Sequence, residues 1–354
     1  LSVTGHDRIR EAFIRQIGWC EALGSPLYRD LLTVAVDDLE AGGAVAKVVD
    51  AFPNDPASAA LALRLMGGVH RLVLMGLAPQ LEGHYPSVGG SPDPATVGAD
   101  FLAAVGAHIG YLRDGLSVAP QTNEVGRCAL LLPGLMFALD RERRDVRLLD
   151  IGASGGLNLL LDRYRYEMGS WTWGDPASPA VITSVWSGPA PVTRAFSVVE
   201  RRGCDLSPID VTQDEHRLRL LSFIWADQAD RFARTAAALD LAAGNPPHVD
   251  RASAESWLDH HLRIDPPPGA MTIVQHSVMW QYLPAEMQGR VASVIEEAGG
   301  RATRRRPLAH VSFEPPPSGY TGDGPILSVT RWPGGGTQVL ASAHAHGAWV
   351  RWDT

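Results

Sequence analysis

Asp150 stands two residues ahead of a run of small residues, Gly152-Ala153-Ser154-Gly155-Gly156, and that pairing is the clearest chemical signal in the chain. The preceding Arg147-Leu148-Leu149 reads as an apolar strand, and the following Leu157-Asn158-Leu159-Leu160-Leu161 as the start of a helix. Glycine reaches φ > 0 without a Cβ penalty and lets a ligand lie against bare backbone. A helix start offers N–H groups to polar ligand atoms. A carboxylate at the strand tip adds a charge or an acceptor for the same ligand, so the stretch is built to bind a polar small molecule.

A second group of candidates follows another strand. Met271 to Val274 runs into Gln275-His276-Ser277-Val278-Met279-Trp280-Gln281-Tyr282-Leu283-Pro284. In open α/β sheets the chemistry collects at the carboxyl ends of strands, which places His276, Ser277, Trp280, Gln281 and Tyr282 beside a substrate. His276 is suited to take a proton near neutral pH; a histidine tied to backbone at a tight strand end is the competing account. His344 and His346, two apart, share one face of a strand. With His276 or Glu314 they would form a metal-dependent hydrolase site, whereas terminal-strand packing needs no metal. The chain has neither HExxH nor paired-cysteine spacing.

The glycine loop has neither the G-x-G-x-x-G spacing of a dinucleotide site nor the Gly-Lys-Ser/Thr of a phosphate-binding P-loop. Asp150, Gly152 and Gly156 instead fall in register with acid-x-Gly-x-Gly-x-Gly. The stretch resembles this first motif of class I S-adenosylmethionine-dependent methyltransferases, with Ser154 in place of the middle glycine. The resemblance implies that Asp150 and the backbone of Gly152, Ala153, Ser154 and Gly156 hold the methionine end of S-adenosylmethionine. Gly203-Cys204-Asp205-Leu206-Ser207-Pro208 resembles the second motif, whose acid accepts both ribose hydroxyls. Asp205 comes first for that role, then Glu200, then Asp210, because the gap from the loop far exceeds the usual distance of about twenty residues. His248-Val249-Asp250-Arg251-Ala252-Ser253-Ala254 is similar in place to the third motif; Asp250 would accept from the adenine amine, with backbone contacts from Ala252 and Ser253. Asn123, Glu124 and Arg127, ahead of the first strand, would line the cofactor pocket. His276, with Gln281 or Tyr282, would orient or deprotonate a small-molecule methyl acceptor. The cofactor's sulfonium is the electrophile, so the protein mainly aligns the acceptor. A non-catalytic S-adenosylmethionine or nucleoside binder would use the same pocket.

The elements that position these residues divide the chain. Residues 1–115 read as helical: Ile9, Phe13, Ile17 and Cys20 recur near helical spacing, and Ser25-Pro26, Asp55-Pro56 and Asp93-Pro94 mark helix starts. Arg71 and Tyr85 are the candidates there for gripping a substrate. Residues 116–354 read as an α/β domain: 116–145 form a bridge, and from 147 onward strands and helices alternate, the signature of a parallel sheet. The expected fold is a Rossmann-like, methyltransferase-type sheet, parallel with an antiparallel C-terminal hairpin, preceded by an all-helical N-terminal domain. An aromatic-rich insertion at about 164–191, read as a β-hairpin, carries Tyr164, Tyr166, Trp171, Trp173 and Trp186.

The formal net charge of −8 argues against a general nucleic-acid partner, since phosphate neutralisation needs a basic surface. Arg304-Arg305-Arg306 reads as a solvated turn. Three scattered cysteines show no disulfide or metal spacing and suit a reducing cytoplasm. No apolar run reaches membrane-spanning length. From Gln121 to Trp352, and into the helical part, the chain is similar to a bacterial family catalogued as domain of unknown function 2332. The similarity rests on Gln121-Thr122-Asn123-Glu124-Val125-Gly126-Arg127, Asp150-Ile151-Gly152-Ala153-Ser154, Arg202-Gly203-Cys204-Asp205, the run His276 to Pro284 and His344-Ala345-His346-Gly347-Ala348-Trp349-Val350.

Overall fold

The computed structural model describes residues 5–50, 52–140, 144–316 and 324–353. The chain divides into two compact units, one running to Thr122 together with Asp214–Ala233, the other formed by Asn123–Gln213 and the residues from Arg234 onward.

The first unit is helical. Its helices include Gly5–Ala22, Pro26–Glu40, Leu61–Leu74, Val97–Ala107, Ile109–Gly115 and Asp214–Ser222. Pro26–Glu40 shows why: Leu27, Leu31, Leu32, Ala35, Val36 and Leu39 fall on one side and are buried. Ser25 precedes that helix but makes no cap bond with it. Its hydroxyl instead donates to Asp227 Oδ1 at 2.6 Å, and the Leu27 N–H donates to Asp227 Oδ2 at 2.9 Å. A carboxylate two hundred residues away in sequence thus caps the helix. Asp227→Ala is expected to lower the stability of this unit by about 2 kcal/mol, read as a lower urea midpoint at unchanged slope.

The second unit is built on strands β1 (Arg144–Ile151), β2 (Arg165–Glu167), β3 (Thr172–Trp173), β4 (Val181–Thr183), β5 (Val185–Ser187), β6 (Phe196–Asp205), β7 (His248–Arg251), β8 (Met271–Ser277), β9 (Leu308–Glu314), β10 (Ile326–Trp332), β11 (Gly336–Ala343) and β12 (Trp349–Trp352). Nine of them form one sheet in the order β5-β12-β11-β10-β9-β8-β1-β6-β7. β7, β6, β1, β8 and β9 run parallel; β10, β11 and β12 continue the sheet as antiparallel neighbours. This is a mixed α/β unit with a large, mostly parallel sheet.

Central strand β1 is buried along nearly its whole length, as a parallel strand covered on both faces must be. One face packs Leu149, Ile151, Cys204 and Val274 against Trp257, Leu258, Val291 and Ile295, from helices Ala254–Arg263 and Ala285–Arg301. The other face meets helix Cys128–Ala138, which is apolar all round and almost wholly buried.

One local expectation changes. The aromatic insertion is not a simple hairpin: β2 pairs antiparallel with β3 and parallel with β4 in a small separate sheet, while β5 joins the main sheet beside β12. Tyr166, Trp171, Trp173, Trp186, Phe196 and Trp352 form a chain of ring contacts there, a satellite core. Gly299 lies inside the helix Ala285–Arg301; a Cβ there would lie 2.4 Å from the Trp332 ring, so close packing fixes that glycine. Residues 213–243, which read in sequence as one long amphipathic helix or a pair, form a pair, Asp214–Ser222 and Ala229–Gly244.

Candidate functional site

After β1 the chain moves to β6 and β7 on one side, then returns to β8 and β9 on the other. The chain therefore leaves β1 and β8 toward opposite sides of the sheet, the topology at which open α/β sheets place a ligand crevice. The glycine loop lies at this switch point. Gly152 and Gly156 take φ of 69° and 74°, and Ser154 takes 55°. Serine thus adopts the left-handed backbone that the middle glycine of the motif would adopt freely. In the loop after β8, Val278 has φ 50°. For a β-branched residue that is a true outlier, and such strain concentrates at functional sites. The two loops touch: a Cβ on Gly152 would meet Met279 Cβ at 2.9 Å.

The buried Ser154 hydroxyl also has no hydrogen-bond partner. Ser154→Gly is expected to raise stability by about 1 kcal/mol, through relief of the left-handed strain, with calorimetric unfolding as the check.

The loop's own N–H groups are spoken for, which departs from the expectation that they hold a ligand. The Ala153 N–H donates to the Cys204 carbonyl and that of Gly156 to the Ala153 carbonyl. Asn123 Oδ1 accepts from Gly155 and Leu157 at 3.1 and 2.9 Å. Asp205 Oδ2 accepts from Ser154 N at 2.9 Å, and its Oδ1 from Ser207 N at 2.8 Å. Nor does an α-helix follow the loop; Leu157–Arg163 is a kinked 3-10 helix. Asn123 is therefore a brace for the loop. Asp205 is a second brace whose oxygens keep further lone pairs, since a carboxylate can accept about four bonds.

Strand alternation sorts the remaining candidates by face. Asp150 is in register with Gly203 on β6 and Gln275 on β8, so Asp150 and Asp205 share the face opposite Leu149 and Ile151. Asp150 is 3 % exposed. Burial pushes its carboxyl up to about 8; Gln275 bonding and Arg127 oppose the shift, and the nearby Asp205 charge adds to it. Arg127 donates from Nε to the Ala345 carbonyl and from Nη1 to the Ser277 carbonyl, both at 3.0 Å. It ties the loop after β8 to the His344–Gly347 turn. Glu124 is buried and accepts from the Gly126 N–H at 2.9 Å.

Asp250 and His276 lie on the other face. Asp250 is paired with Cys204 and accepts from His248 Nε2 at 2.9 Å and Trp257 Nε1 at 2.8 Å. Burial raises its carboxyl, but these hydrogen bonds and the neighbouring cations bring it below the usual range. It does not join Asp150 and Asp205. Glu200 is likewise elsewhere, 3.2 Å from the Arg147 guanidinium. Asp210 accepts from the Thr212 N–H and hydroxyl.

His276 is 1 % exposed. Its Nδ1 bonds Glu314 Oε1 at 2.7 Å, its Nε2 lies 2.9 Å from His310 Nε2, and its ring stacks on Trp280. Burial, with His276 adding to it, lowers His310 to about 3, so His310 is neutral. Glu314 also accepts the Met279 and Trp280 N–H groups at 3.0 and 3.2 Å. The unit of Glu314, buried His276 and His310 thus holds the strained loop after β8. In this arrangement His276 positions the loop rather than reaching an acceptor. Gln281 and Tyr282 are exposed on that loop, Tyr282 at 77 %.

A family model described as an uncharacterized protein conserved in bacteria (DUF2332) matches residues 10–352. The chain belongs to this family. No curated protein matches it.

The histidines of the metal alternative are not assembled. His344 and His346 face each other with ring centroids 5.2 Å apart, while His276 is engaged as described. Among the described residues no group of three or more His, Cys, Asp or Glu could hold a metal ion. In the helical unit, Arg71 pairs with Glu215, and Tyr85 is fully buried. No helix among the described residues is long and apolar enough to cross a membrane. Sequence reasoning missed Asn123 as a loop brace and His310 as a partner of His276. An amide just before the first strand is visible in sequence, but its two-pronged contact with the glycine loop is a tertiary fact.

Proposed function

We propose that the crevice between the β1 and β8 loops binds S-adenosylmethionine and that the protein transfers its methyl group to a small-molecule acceptor. The observation that carries this reading is a strained non-glycine residue on each of two touching loops, Ser154 after β1 and Val278 after β8, at the switch point of a parallel sheet. Two carboxylates share the sheet face beneath the glycine loop. Asp205 presents lone pairs suited to a vicinal diol, because two adjacent hydroxyl donors match one bidentate acceptor. Asp150 supplies negative charge under a cationic ligand once it ionises. Gln281 and Tyr282 stand on the exposed side of the second loop, where an acceptor would be aligned. Arg127, Glu314 and His276 set that loop's position.

Burial of His276 with both nitrogens engaged favours a second reading, ligand binding without turnover. Calorimetric titration with S-adenosylmethionine and S-adenosylhomocysteine, with NAD as control, tests the shared pocket. Saturable binding of the first two but not of NAD is expected; absence of binding to folded protein sinks both readings. Formation of S-adenosylhomocysteine in the presence of candidate acceptors separates transfer from binding alone.

A further inference from the structure

At the amino ends of the strands, remote from the glycine loop, lies a cavity of about 350 Å³ whose charged lining is one-sided. Arg147, Arg263, Arg301 and Arg306 face it against a single carboxylate, Asp265. Arg147 is nearly fully buried and committed: its Nη1 donates to the carbonyls of His261 and Ile264 at 3.0 Å each, and Glu200 lies beside its Nε. It forms a rigid wall and a fixed positive charge. Arg263 and Arg306 make exposed ion pairs, with Asp259 and Asp265. Such pairs contribute little in water, so both guanidinium groups are available to a more highly charged partner. Thr272, a buried hydroxyl residue, completes the polar wall.

Arg147 and Ile264 also bound a neighbouring cavity of about 560 Å³ that contains Trp257, His260 and His261. There His261 Nδ1 is buried without a hydrogen-bond partner. A polar atom left so is costly unless a ligand satisfies it.

We infer that this end of the sheet binds a phosphorylated small molecule. Its phosphoryl group lies among Arg263, Arg301 and Arg306, and its organic part has the space beside His261. Three guanidinium forks lining one cavity suit the several oxygens of a phosphoryl anion better than the two of a carboxylate. The site is independent of the glycine loop and stands whether or not that loop binds S-adenosylmethionine.

Calorimetric titration of the full chain with inorganic pyrophosphate, at fixed ionic strength, is the test, with citrate as a carboxylate polyanion. Saturable binding is expected, weakened at least about tenfold in the exposed double variant Arg301→Ala/Arg306→Ala and unchanged in Asp205→Ala. No saturable heat, equal affinity for citrate, an unaffected double variant whose circular dichroism matches the parent, or loss in Asp205→Ala would each overturn the assignment.

Discussion

Asp205→Ala is expected to abolish S-adenosylmethionine binding, with a loss of at least about 100-fold, while the protein stays folded. Two effects combine. The carboxylate now accepts from the Ser154 and Ser207 N–H groups, and its deletion leaves the Ser154 donor in a buried loop without its acceptor. That costs about 1–3 kcal/mol of stability. The second effect is loss of the bidentate acceptor for the ribose hydroxyls. Asp205→Asn divides the two: its one carbonyl oxygen serves one loop N–H, so stability recovers in part, but the paired acceptor is gone and affinity stays low. A folded Asp205→Ala protein with parental affinity would remove Asp205 from the pocket.

Asp150→Asn is expected to flatten the decline of stability between about pH 4 and pH 8. A carboxyl near 3.9 when unfolded and pushed up to about 8 by burial when folded binds more protons in the folded state throughout that window. Stability therefore falls as pH rises from the unfolded to the folded value, by up to about 1.4 kcal/mol per pH unit, and levels off above it. Asparagine cannot ionise, so the difference between parent and variant grows from nothing near pH 4 to its full value near pH 8. Denaturant midpoints of both proteins at four pH values read it directly; a constant difference would show that Asp150 is ionised in the folded protein. The same linkage predicts that a cationic ligand on the loop releases a proton near neutral pH, because it favours the ionised carboxylate. Titration enthalpies would then depend on the buffer's ionisation heat in the parent and not in Asp150→Asn.

The glycine loop, its strand and its acid were legible because they are local: small residues in a fixed register after an apolar run. Asp205 was legible for the same reason, as an acid at a strand tip. Asp250 and His276 look equally well placed in sequence, yet β7 and β8 turn both side chains to the opposite face from Asp150, and a strand's facing depends on register with its neighbours. The internal bracing of the loop by Asn123 and the cap that Asp227 gives the second helix are contacts between distant segments, for which residue spacing carries no signal. Likewise, β1, β8 and β9 were each visible as strands, but the cavity at their amino ends arises only when they lie side by side.

Photo-crosslinking of S-adenosylmethionine to the purified protein, followed by tryptic mapping, addresses the central proposal most directly. A ligand in the crevice predicts label on the peptides Leu148–Arg163, Gly203–Arg217 or Ile264–Arg290, competed by S-adenosylhomocysteine and absent in Asp205→Ala. Label confined to other peptides, or label that S-adenosylhomocysteine does not compete, would contradict it.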